Sequence, residues 1–342
     1  MSKWMPSSFL ALLTVAGIAL LGLFWSVAAY ATFPGTDGLI AFRSGSDMDT
    51  MEPDGTGVTQ LTHSPGNDRY PSWSADGAQI VFRRVTPGGQ FGIFTMNADG
   101  SNLARLTPGN TGVNTQPTWT PDGRIVFSSN RENPSCGSNF DECNFQLFIM
   151  NADGSNVQRL TSGTGVSPLS YALPSVSPDG TTVAFTMTDA ATAGSHFFIG
   201  TIPISGGQHT GTALDTKQAI DPAWPDWSPD GTKIVFSNNG CRICPSAGLP
   251  SNVFVLDRSL GTVTQLTFAT APNNYIQPHW DPDQDSIVFT NAPLTGGPGS
   301  IYTMNSAGTG ITCVIGSVAA PGQSTCNVVS SANNETPAWQ PE

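Results

Sequence analysis

Charged residues are scarce in this sequence. Asp, Glu, Lys and Arg make up 11% of 342 residues, and 13 basic side chains stand against 25 acidic ones for a net charge of −12. A field of that sign repels phosphates and anionic headgroups, so nucleic acid and acidic lipid surfaces are not expected partners. Catalytic signatures are missing as well: there is no Gly-x-Ser-x-Gly elbow, no His-Glu-x-x-His and no Gly-x-x-x-x-Gly-Lys phosphate loop. The four histidines, His63, His196, His209 and His279, fall in unrelated parts of the chain; neither a joint metal or acid–base role nor any cofactor is expected. Helical periodicity is absent, and 37 glycines with 27 prolines oppose long helices.

Long apolar runs are confined to the beginning. Phe9 to Ala29 carries no charge, Lys3 precedes it, and Ala29-Tyr30-Ala31 offers small residues at the spacing a signal peptidase uses. Residues 1–31 therefore read as a signal peptide, with a retained anchor as the alternative because about 20 apolar residues also span a bilayer. In both cases residues 32–342 are expected outside the cytoplasm, in the periplasm or beyond the cell, and membrane contact is expected only if the segment stays. Loss of residues 1–31 removes Lys3 alone among charged groups, taking the net charge from −12 to −13.

The six cysteines form three pairs of near neighbours: Cys136 with Cys143, Cys241 with Cys244, and Cys313 with Cys326. Export makes disulfides the natural reading. Cys241 and Cys244 also have metal-ligand spacing, but no second such pair follows, and no βαβ pattern surrounds them as a redox site would need. Loops this short are worth about 2 to 3 kcal/mol each, enough to staple loops but not to make a fold.

What organises the chain is repetition. Pro71-Ser-Trp73-Ser-Ala-Asp76-Gly77 leads into Ile80-Val81-Phe82, and Pro117-Thr-Trp119-Thr-Pro-Asp122-Gly123 into Ile125-Val126-Phe127. The phrase returns around Val176, Trp227 and Trp280, with Val183-Ala184-Phe185, Ile234-Val235-Phe236 and Ile287-Val288-Phe289 behind it. A second phrase follows, Met96-Asn-Ala-Asp99-Gly100-Ser and Met150-Asn-Ala-Asp153-Gly154-Ser, with looser copies near Val253 and Met304 and the most divergent one between Phe197 and Gly207. Asp-Gly marks tight turns and the β-branched triplets mark buried strands, so each unit reads as four short strands. Each Trp is a large apolar anchor between neighbouring sheets, worth about 2 to 3 kcal/mol.

The Asp-Gly turns at Gly38, Gly77, Gly123, Gly180 and Gly231 stand 39 to 57 residues apart, a period that belongs to propeller blades. The two ends complement each other. Thr336-Pro-Ala-Trp339-Gln-Pro-Glu342 is the first half of the phrase, and Asp37-Gly38-Leu39-Ile40-Ala41-Phe42 with Met51 to Gly55 is the second. The expected fold is an all-β, six-bladed propeller of four-stranded blades over residues 32–342. One blade closes the ring by pairing a C-terminal inner strand with three N-terminal strands, which hides sheet edges.

Trp-Ser-Pro-Asp-Gly-x-x-Ile-Val-Phe and Met-Asn-Ala-Asp-Gly-Ser-Asn resemble the TolB-like, WD40-like propeller repeat family across residues 35 to 342. The resemblance implies a periplasmic protein that binds proteins, since the family's namesake belongs to an envelope-spanning system and its propeller binds a peptidoglycan-associated lipoprotein. That namesake carries an N-terminal α/β domain, which this chain is expected to lack. Peptidases that contain this blade carry a separate hydrolase domain, which this chain is expected to lack.

Function is expected where the blades differ. The segments entering each Pro-x-Trp contain Asp68, Arg69, Asn114, Gln116, Tyr171, Asp221, Tyr275, Gln277, Asn334 and Glu335, expected at one mouth of the axial channel. Tyr171 and Tyr275 occupy matching positions, so both rings are expected to face the axis. Such a ring suits a peptide or a sugar, offering donors and acceptors together, and the partner expected is an envelope or extracellular protein or peptide. The alternative is an enzyme for a sugar or lactone with an axial metal, for which Asp68, Asp221 and Glu335 are the candidate ligands. Asp281-Pro-Asp283-Gln-Asp285 begins like a calcium loop, but Ser286 stands where the turn needs Gly and Ala292 where a bidentate Glu belongs. It is read as a degenerate copy of the repeated turn.

Overall fold

A computed structural model describes residues 37–63, 65–133, 144–162, 169–189, 196–207, 221–238, 250–294, 298–316, 326 and 334–341. Residues 1–36, with the expected signal peptide, and Cys136, Cys143, Cys241 and Cys244 lie outside the described residues, whereas Cys313 and Cys326 form a disulfide. No helix of the described residues is long and apolar enough to cross a membrane.

Six antiparallel sheets form the ring. Their innermost strands are Asn67–Trp73, Asn114–Trp119, Leu169–Val176, Pro222–Trp227, Tyr275–Trp280 and Asn334–Pro341. Five sheets have four strands; the one that begins at Leu169 has three among the described residues. The last inner strand pairs with the first strand of the chain, Asp37–Ser44, matching Ile40 to Trp339 and Ala41 to Ala338, so the ring closes as the sequence predicts. The side chain of Gln340 extends that seam: its carbonyl accepts from the Leu39 N–H at 3.0 Å and its amide donates to the Gly77 carbonyl at 2.8 Å in the next blade.

The core is divided among the seams between sheets. Trp73, Trp119, Trp227, Trp280 and Trp339 are all buried, as are the Phe residues that end the triplets. Trp73 packs with Ala41, Met48 and Ala338 of the closing blade, and Trp339 packs with Val288 and Ile301 of the blade before it. Two indoles also donate across a seam, from Trp73 to the Ala338 carbonyl at 3.2 Å and from Trp227 to the Ser175 carbonyl at 3.1 Å.

In four blades the turn after the inner strand is held by its own polar groups. Ser74, Ser177 and Ser228 each donate to the Asp two residues on at 2.6 Å, and that carboxylate accepts a backbone N–H further along the turn. Gly77, Gly180 and Gly231 supply the positive φ that completes the turn. At Asp230 burial works to raise the carboxyl's pKa, but the Ser228 hydroxyl, the Thr232 N–H and hydroxyl and the Gln284 side chain together hold it at about 2.

Two outcomes follow. A chain truncated after Glu335 loses the Trp339 anchor and the closing ladder, and its melting temperature in a thermal scan should fall by about 10 °C or more. The folded state protonates Asp230 later than the unfolded chain does, so its contribution is complete above about pH 4 and is lost as the pH falls toward 2. Asp230→Ala should therefore be less stable than the parent in urea unfolding at pH 7, and the gap should shrink as the pH drops from about 4 to about 2.

Candidate functional site

Proline interrupts every inner strand, and the structure shows how the ladder accommodates it. The residue before each proline adopts positive φ: Tyr70 58°, Gln116 53°, Leu173 54°, Trp224 54°, Gln277 55° and Thr336 52°. A shift in strand register spans the same X-Pro pair in every blade. Proline cannot donate to a ladder, so it is tolerated at such a bulge, and the bulge re-aims the side chain beside it. Left-handed backbone in a non-glycine residue costs about 1 to 2 kcal/mol. Six repetitions of that cost converge on one place.

That place is the axis. The six bulged residues form a ring around a cavity of about 90 Å³, and the residue that follows the proline of each blade forms a second ring: Ser72, Thr118, Ser175, Asp226, His279 and Ala338. Both rings stitch neighbouring blades. Gln116 accepts the Leu173 N–H at 3.0 Å, Gln277 accepts the Thr336 N–H at 3.1 Å, and Thr336 accepts the Tyr70 N–H at 3.4 Å. Ser72 accepts the Trp119 N–H at 3.3 Å, Ser175 the Trp227 N–H at 3.4 Å, and Asp226 the Trp280 N–H at 3.1 Å.

The chemistry of the wall is uneven. Tyr70, Leu173 and Trp224 present half-buried apolar surface, and the Trp224 indole N–H is buried without a hydrogen-bond partner among the described residues. On the other side, Asp226 accepts the Ser175 hydroxyl at 2.9 Å and lies 3.6 Å from His279 Nδ1. This is not a nucleophile–base arrangement, because the carboxylate lies between Ser and His where the imidazole would have to be. Its role is to hold Ser175, Trp280 and His279 in place.

Of the ten residues expected at the channel mouth, Gln116 and Gln277 line the cavity; Asp68, Arg69, Asn114, Tyr171, Asp221, Tyr275, Asn334 and Glu335 do not. Tyr171 and Tyr275 face away from the axis. They are 1% and 2% exposed inside blade cores, edge-on to Phe185 at 5.4 Å and Phe289 at 5.2 Å. Asp68 is fully buried in a two-pronged pair with Arg84, at 2.7 and 2.6 Å. Asn114 is buried among Ser129, Arg131 and Thr111, and Asp221 and Asn334 are buried too. Arg69 and Glu335 remain partly exposed, Glu335 lying 2.7 Å from Arg43 and 3.4 Å from Arg69. Asp68 pairs with Arg84, Asp221 accepts the Phe197 N–H at 3.5 Å and Glu335 pairs with Arg43, and the three do not come together as an ion-sized group. Among the described residues the only three acidic, His or Cys groups within reach of one ion are Asp37, Asp281 and Asp283.

The sequence profile of the TolB beta propeller domain matches residues 39–224. The chain belongs to that family. It is 24% identical over 228 residues to the Tol-Pal system protein TolB of Francisella tularensis subsp. tularensis (strain WY96-3418), a match spanning 66% of this chain and 46% of that relative. The chain thus corresponds to less than half of that curated relative's length. Among solved structures it resembles TolB from Acinetobacter baumannii, with a TM-score of 0.60 and 18% identity over 89% of this chain and 67% of that one. A putative TolB from Agrobacterium tumefaciens is similar, at a TM-score of 0.59 and 17% identity over 89% and 98% of the two chains. At these identities the two structures show the fold alone.

Sequence reasoning placed Tyr70 in a channel-facing segment but missed Ser72, Leu173, Trp224, Asp226, His279 and Thr336 as lining residues. The signal was present: they sit immediately before Pro, or between Pro and Trp, where the phrase varies most. The burial of the two tyrosines has a direct consequence. Tyr171→Ala and Tyr275→Ala should each lower stability by about 3 to 5 kcal/mol in denaturant unfolding, as large truncations in a core do.

Proposed function

We propose that the protein is an exported binding module that captures a protein or peptide partner at the axial face of the propeller. The observation that carries this reading is the unevenness of the two axial rings in an otherwise repetitive molecule. A side chain that recurs in every blade is explained by the blade. Tyr70, Leu173 and Trp224 recur nowhere at their position, and they gather aromatic and aliphatic surface beside an unpartnered indole donor. Aromatic anchors of this kind dominate protein interfaces.

Size argues for a protein partner over a free sugar. About 90 Å³ is less than the roughly 150 Å³ that holds a benzene-sized ligand, so the cavity suits one inserted side chain of a larger partner. Gln116 and Gln277 would then flank the entering chain, while Arg69 and Glu335 form part of a polar rim. Membership of a family whose curated relatives are named as Tol-Pal system proteins supports an envelope setting, and the leader-like residues 1–31 support export.

The test is comparative capture from an envelope extract by immobilised parent and by Tyr70→Ala/Trp224→Ala. Loss of one such anchor costs about 2 kcal/mol, so a partner held by the parent should be retained about 30-fold less well by the variant, with melting temperatures within a few degrees. Equal retention of every captured protein would move the binding surface off the axis and sink this reading.

A further inference from the structure

The repeated turn opens with Ser74, Thr120, Ser177, Ser228, Asp281 and Gln340 in the six blades. In four of them a hydroxyl donates to the Asp two residues on. In the fifth, Asp281 puts a carboxylate where the hydroxyl should be, so it meets Asp283 acceptor to acceptor. The turn itself survives this exchange: the Asp281 N–H still donates to the Ser286 carbonyl at 3.1 Å, and Gln284 takes the positive φ, 70°, that Gly supplies elsewhere.

Asp281 is 0% exposed, and neither carboxylate oxygen has a hydrogen-bond partner. A third acid joins it from the adjacent closing blade. Asp37 opens the first strand of the chain, and its Oδ1 is also buried without a partner. One oxygen from each of Asp37, Asp281 and Asp283 lies within 4.8 Å of the others. No basic side chain forms an ion pair with any of the three among the described residues. Three carboxylates held this close without a basic partner repel one another and cost several kcal/mol unless a proton or a cation neutralises them.

We propose that Asp37, Asp281 and Asp283 bind a calcium ion that clasps the closing blade to its neighbour. Oxygens about 2.4 Å from one Ca²⁺ are at most about 4.8 Å apart, so the three donors can share one ion of that size. An all-carboxylate set suits a hard cation, and Zn²⁺, which prefers His and Cys, has neither here. Mg²⁺ demands shorter bonds and near-ideal octahedral geometry, which carboxylates on two separate blades meet less readily than the flexible shell of Ca²⁺. Asp283 is exposed, so solvent reaches the site from one side and water can complete the coordination. The ion ties the strand Asp37–Ser44 to the turn that leads into Ser286–Asn291, across the seam where the ring closes.

The experiment uses the purified protein stripped with chelator and then given about 1 mM CaCl₂, a concentration that fills weak extracellular-type sites. Calcium should raise the melting temperature by about 3 °C or more, and titration calorimetry should find one ion per chain. Asp281→Ser restores the residue that Ser74, Ser177 and Ser228 show to fold in this turn. It should melt at or above the stripped parent and lose the calcium response, and Asp37→Asn should lose the response as well. No calcium shift in the parent, or an undiminished shift in both variants, overturns the proposal.

Discussion

Everything at the centre of this propeller depends on one backbone event, the left-handed residue placed immediately before proline in each innermost strand. Six strands converging on an axis cannot all continue their ladders, because inner backbones crowd where outer ones spread. The X-Pro bulge resolves the conflict by removing one ladder donor, turning the strand, and pointing the preceding side chain at its neighbour. The cost of six strained residues is offset locally. Between them, the two axial rings place a hydrogen bond across every seam: from Ser72 and Gln116, from Ser175 and Asp226, and from Gln277 and Thr336.

The same event separates scaffold from function. The Trp and Asp-Gly positions answer to packing and turn geometry, so they repeat. The bulged position need only satisfy φ and, in some blades, accept one N–H. Gln and Thr meet that second demand, whereas Tyr70, Leu173 and Trp224 do not accept a neighbour's N–H in the observed stitches. At those three blades the other ring holds the seam, through Ser72, Ser175 and Asp226. The wall is thereby free to carry aromatic surface on one side, and that asymmetry is what a partner could read.

How far the sequence was legible follows from this. The fold was readable because its determinants are local and repeated: Asp-Gly at a turn, Ile-Val-Phe in a buried strand, and two half-phrases that pair as Ile40 with Trp339. The candidate site was not, because strand alternation fails at a bulge. Counting back from Val176 and Trp280 correctly aligned Tyr171 with Tyr275, but the residues two places before the bulge point into the blade. Asp68, Asn114 and Asn334 hold that position in other blades and are equally buried. Gln116 and Gln277 were found because they occupy the bulge itself. The acidic cluster escaped for another reason: Asp37 is 244 residues from Asp281, and only ring closure brings them together.

Closure also explains why the least repetitive polar chemistry collects on one blade. A blade made from a continuous chain is held by its hairpins, whereas the composite blade must hold two distant ends with no covalent turn between Pro341 and Asp37. The side chains there do what a turn does elsewhere. Gln340 replaces the turn hydroxyl and reaches both Leu39 and Gly77, and Glu335 pairs with Arg43 across the strands. Asp37 stands where Asp76 stands in the next blade, yet its partners are the acids of the blade before it. A cation at that point would fasten the free start of the composite blade to the blade before it, where no hairpin holds that end.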